Sequence, residues 1–206
     1  TIHMESSNLP LAQHFSSLRE KPTWGLKLII AIVIIALSAT IVALTTDFKQ
    51  NFEDAGLSGQ QLDQSLEFAK IIGVVSGVIG SILTIGVTFV IILIISKIMK
   101  SDASAKSIFS ATLSYTIITS TIALIVVLIQ WIAGLSVTDY SITSLNIFDK
   151  GNPILRVFDL QTLISAYVLG ILFFATSRFS KKSAIIWSIA YLVVVVGFGL
   201  IGAAFQ

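Results

Sequence analysis

The sequence predicts an all-α fold: a polytopic integral membrane protein with five transmembrane helices, its N-terminus cytoplasmic and its C-terminus outside. Three observations carry this. Five stretches hold no Asp, Glu, Lys or Arg: Leu28–Thr46, Ile71–Ser96, Ser107–Thr138, Leu160–Ser177 and Ser183–Phe205. Each is close to or above the ~20 apolar residues that a helix needs to cross ~30 Å of hydrocarbon. The chain is 55% hydrophobic and only 12% charged over 206 residues, against about 25% charged in soluble domains. Finally, the charges between the stretches alternate in sign.

That alternation sets the orientation. Arg19, Lys21 and Lys27 precede the first stretch, Lys97, Lys100 and Lys106 follow the second, and Arg178, Lys181 and Lys182 follow the fourth. These are nine of the thirteen basic residues. Asp47, Glu53, Asp54, Asp63, Glu67, Asp139, Asp149 and Asp159 fall in the other connections. Short basic loops stay cytoplasmic, and an odd number of spans then puts the two termini on opposite sides.

Thr1, Ile2 and His3 read as a cloning scar over 1–3, with Met4 as the natural start. Residues 4–23 form a cytoplasmic segment with a short interfacial helix, in which Leu11, Phe15 and Leu18 fall at helical spacing. It is either an anchor ahead of the membrane or a docking helix. Pro22 ends it, and Trp24 suits the headgroup level. Residues 24–206 are one transmembrane domain with spans near 26–46, 70–98, 107–135, 157–177 and 183–205. The first apolar stretch lacks a small-residue cleavage site and is read as retained.

The second span extends beyond the bilayer. Ser58 and Gln61 match a capping box, and neither Gly nor Pro lies between Gln61 and Ile71. A helix from Ser58 to Met99 is then roughly 60 Å long. The longest connection, Thr138–Arg156, holds the turn signal Gly151, Asn152, Pro153 and folds back on the bundle. Asp159 opens the fourth span, where a carboxylate complements the helix dipole, and Arg156 stands within pairing range of it.

The spans are poor in catalytic groups. The chain has no cysteine and two histidines, His3 and His14, both before the first span. Proton- and ion-coupled carriers keep ionisable groups within the bilayer, and proteases need a base or metal ligands beside the reacting atom. No phosphate-binding loop occurs. The expectation is therefore a non-enzyme with no catalytic residue, no cofactor and no metal. The formal charge of +2 gives no reason to expect nucleic acid.

Small and hydroxylated residues are what the spans offer. Gly73, Gly77, Ser81, Thr84 and Thr88 share one helix face, the type of surface on which membrane helices approach closely. The face serves packing within the bundle, a membrane-protein partner, or self-association. The third span carries Ser110, Thr112, Ser114, Tyr115, Thr116, Thr119, Ser120 and Thr121, the makings of a neutral polar cavity. Arg156 and Asp159 form a structural or partner polar site.

The run Leu155, Arg156, Val157, Phe158, Asp159, Leu160, then Gly170 in mid-span, then Ser177 to Ala184 with its Lys-Ser turn, resembles the Yip (Ypt/Rab-interacting protein) family. Pro22 and Trp24 suit its bacterial branch. The resemblance implies five spans and a role beside membrane-traffic or membrane-transport machinery. Together with the residues it gives the functional expectation: a scaffold or accessory subunit acting through helix–helix contacts, assisting transport or export in a bacterial cytoplasmic membrane. The alternative is a permease or lipid-handling protein with a hydroxyl-lined cavity.

Overall fold

A computed structural model describes residues 8–206, so the proposed scar at 1–3 lies outside the described residues. Among the described residues eight α-helices follow one another: α1 (Ala12–Glu20), α2 (Gly25–Thr45), α3 (Phe48–Asp54), α4 (Gly59–Ile98), α5 (Ala105–Ala133), α6 (Pro153–Val157), α7 (Leu160–Ala175) and α8 (Lys181–Ala204). A 3-10 turn at Leu145–Phe148 lies between α5 and α6. Among the described residues no strand forms beyond one isolated bridge, Ser144 to Asp159. Helices α2, α4, α5 and α8 are long and apolar enough to cross a membrane, and α7, at 16 residues, is a shorter apolar helix.

Local chemistry sets most boundaries. Ser104 accepts the Ser107 amide to cap α5, Ser180 accepts that of Ser183 to cap α8, and Asp159 accepts that of Gln161 to cap α7. Asn152 caps α6, with Pro153 in the first turn, where its missing N–H costs nothing. Helix α5 stops at Gly134, whose φ of 70° is left-handed. Helix α4 is unbroken for 40 residues. Ser58 stands at its N-cap position, but its side chain makes no capping bond, so the expected capping box does not form. The acidic connection after α2 folds as α3, with Phe48 and Phe52 stacked one turn apart.

Two bundle ends emerge from the loop contacts. At one end the α4–α5 and α7–α8 connections meet: Ser101 Oγ donates to the Ser177 carbonyl (2.7 Å), and Ser96 and Ser177 hydroxyls lie 2.8 Å apart. Helix α1 closes the same end. Its apolar face, Ala12, Phe15 and Leu18, is buried against α5 and α7 of the same chain. Thr176 Oγ1 donates to the Phe15 carbonyl (2.7 Å), Ser107 Oγ donates to the Arg19 carbonyl (2.8 Å), and Arg19 donates to the Thr176 carbonyl and pairs with Asp102. Helix α7 runs from this end to the 134–159 loop at the other. The main core, with Phe15, Ile92, Ile108, Leu172 and Phe173, sits where α1, α4, α5, α7 and α8 converge. A smaller one joins Ala31, Ile85 and Leu113 of α2, α4 and α5.

Candidate functional site: the α4 stripe and the hydroxyl cleft

The five residues of the α4 face divide between two environments. Gly73 and Gly77 lie on α2. A β-carbon at Gly73 would stand 2.6 Å from that of Ala43, and one at Gly77 would stand 2.5 Å from that of Ala39. Only hydrogen fits there. Ala36, Ala39 and Ala43 give α2 a small-residue stripe of its own, so the two backbones approach along several turns, where dispersion contacts accumulate. Ser81, one turn further on, is fully buried and donates to the Val78 carbonyl of its own helix (2.6 Å).

Thr84 and Thr88 instead line a cleft shared by α4, α5, α7 and α8. Its walls carry Tyr115, Thr116, Thr119 and Ser120 of α5, Ser165 of α7 and Tyr191 of α8, with Ile91, Ile92 and Leu169 between them; its volume is about 400 Å³. Counted along the helices at about 1.5 Å per residue, Thr88, Tyr115 and Tyr191 each lie about 15 Å from the α1 end. The hydroxyls therefore share one depth, in mid-bundle. Tyr115 is in hydrogen-bonding reach of both Tyr191 and Ser165.

The hydroxyl run of α5 does three jobs. Thr112 and Thr116 return their protons to the carbonyls of Ile108 and Thr112. Tyr115, Thr116, Thr119 and Ser120 line the cleft. Ser107, Ser110 and Ser114 secure the segment before α2 and the first turn of α2. Ser110 Oγ donates to the Thr23 carbonyl (2.6 Å), Lys27 Nζ donates to Ser114 Oγ (2.9 Å), and His14 Nε2 lies 3.0 Å from the same oxygen. Burial, and then the charge of Lys27, push the His14 imidazole below its ordinary range.

Arg156 and Asp159 are neighbours with separate partners. Asp159 accepts from the Thr143 hydroxyl (2.7 Å), the Ser141 hydroxyl (3.1 Å) and the Gln161 amide (2.8 Å). Arg156 donates to the carbonyls of Val137, Thr138 and Tyr140. The pairing drawn from their spacing does not form: the carbonyls of Val137, Thr138 and Tyr140 claim the guanidinium instead. Two further residues hold this loop. Buried Gln130 donates to the Tyr140 carbonyl (2.9 Å) and accepts from the Ile142 amide (3.1 Å). Buried Asn146 accepts from the Ser141 amide (2.8 Å) and the Ser144 hydroxyl (2.7 Å). Gln130 is not among the candidate residues, although a lone amide in a charge-free stretch is a signal that a partner must exist.

No cluster of three or more His, Asp or Glu side chains suited to a metal occurs among the described residues. The cleft offers neutral donors and acceptors, which can bind a polar group or a helix.

The family model of the Yip1 domain matches residues 10–203. Membrane protein YknW of Bacillus subtilis (strain 168) is 27% identical over 194 residues, covering 90% of this chain and 83% of that protein. No solved structure matches.

Proposed function

This chain belongs to the Yip1 domain family, and we propose that within it the protein works as a non-enzymatic integral membrane scaffold or accessory subunit. It acts through helix–helix contacts and assists a membrane transport or export system. The observation that carries this reading is the division of labour on α4. Gly73 and Gly77 are spent on α2, which they pack against closely. A different face keeps an apolar stripe, Ile79, Leu83, Val87, Val90 and Ile94, exposed over four turns. A stiff helix that presents such a stripe suits a neighbouring membrane helix as well as lipid.

In this reading α7 is the fifth crossing, the α1 end faces the cytoplasm, and the membrane is a bacterial cytoplasmic one. Nine basic residues flank the end where Arg19, Ser101 and Thr176 meet, which supports that orientation. At 16 residues α7 covers about 24 Å; α6 and the hydrogen-bonded loop complete the depth at the other end.

Photo-crosslinking from Leu83 and Val87 in the native membrane tests the scaffold role. A discrete adduct with a membrane protein, or with a second copy of the chain, is expected. Adducts with lipid alone at both positions would contradict it.

The cleft favours a second reading, a neutral permease or lipid-handling path. There the eight hydroxyls around Thr88 and Tyr115 would line the route. A cysteine at Thr88 that reacts with a small hydrophilic thiol reagent in membranes would favour this path; an inert one would favour the scaffold.

A further inference from the structure

A narrow groove of about 230 Å³ runs between α7 and α8 on the outside of the bundle. Its α7 wall is Phe174, Ile171, Gly170 and Tyr167, and its α8 wall is Lys181, Ala184, Ile185 and Ser188. Seven residues separate Phe174 from Tyr167 and seven separate Lys181 from Ser188, so the groove is about 10 Å long on both walls. Apart from one cation its lining is almost wholly apolar. The groove is built rather than incidental. Gly170 keeps the floor low, since a β-carbon there would stand 3.2 Å from that of Ser188. The Tyr167 hydroxyl donates to the Pro10 carbonyl (2.9 Å), which fastens the segment before α1 over the rim and brings Leu9 onto the groove.

We propose that this groove binds one acyl chain of an anionic phospholipid, with Lys181 holding the phosphate. The charge of the mouth selects the occupant. Lys181 is exposed at the first turn of α8, and among the described residues none of the ion pairs includes it. A mostly apolar slot with an ammonium at one end that no ion pair claims matches a lipid whose tail enters the slot and whose headgroup carries negative charge. A neutral solute would leave the ammonium unpaired, and a partner helix is too wide for the slot.

The test uses the purified full chain in detergent, titrated with phosphatidylglycerol or phosphatidylcholine and read by native mass spectrometry. One phosphatidylglycerol per chain is expected to survive removal of the detergent, in preference to phosphatidylcholine. Lys181→Gln should weaken its retention about fivefold, the contribution of one basic residue near an anionic headgroup. Lys182→Gln, next in sequence but outside the groove, should leave retention unchanged. Ile185→Trp fills the slot from an exposed position and should abolish the adduct while circular dichroism shows the helices intact. No adduct, equal retention of the two lipids, equal effects of the two lysine variants, or an Ile185→Trp protein that keeps its lipid would each overturn the proposal.

Discussion

Gly77 of α4 and Ala39 of α2 sit so close that a β-carbon on the glycine would stand 2.5 Å from the alanine's. The contact is the tightest part of a seam running from Ala36 to Ala43. Lipid tails solvate apolar helices as well as other helices do, so such a seam derives its strength from close fit. Gly77→Leu must therefore push α2 and α4 apart. The expected loss is about 1–3 kcal/mol, the usual range for overpacking, read as a lower midpoint of unfolding in mild detergent. The same change at Gly80, where a β-carbon meets nothing within 4 Å, should cost far less. Equal losses at the two glycines would contradict the seam.

Asp159 caps α7 and holds two loop hydroxyls. Replacing it with Ala removes the cap and leaves Ser141 and Thr143 without their acceptor. The expected cost is about 1–2 kcal/mol. Asp159→Asn keeps an oxygen for the cap and should recover about half of it. Amide exchange across 138–159 reads both, and an unchanged pattern in the Ala variant would refute the assignment.

His14 makes the docking of α1 sensitive to acid. Its pKa is depressed in the folded chain, so the docked state binds the proton less well than the undocked one. Docking is then at full strength above the ordinary value of 6.5 and weakens as pH falls below it. Protection of the Phe15 and Leu18 amides, corrected for intrinsic exchange, should fall as pH is lowered below 6.5. His14→Gln should flatten that dependence. Protection that rises on acidification would reverse the sign and refute the account.

Much of this was legible from charge and length. The helical architecture followed from five charge-free stretches, and the family resemblance drawn from Arg156, Asp159, Gly170 and the Lys-Ser turn agrees with the family match. Partnerships were harder to read. Gly73 and Gly77 announced close packing, but their partners, Ala36, Ala39 and Ala43, look like any apolar run. In a membrane, lipid-facing and protein-facing positions are both apolar, so periodicity marks the interface weakly. For the same reason Phe15 and Leu18 did not announce that they pack on α5 and α7. The Arg156–Asp159 pair misled because sequence proximity says nothing of the loop carbonyls that compete for the guanidinium.

A cytoplasmic α1 end and α7 as the fifth crossing place Lys150 and Lys182 on opposite sides of the membrane. The chain has no cysteine, so single thiols at Lys150 and Lys182 report each side cleanly. A membrane-impermeant maleimide should label Lys150→Cys in intact cells and Lys182→Cys only after the membrane is opened. Labelling of Lys182→Cys in intact cells, or both thiols reacting from one side, would contradict that placement.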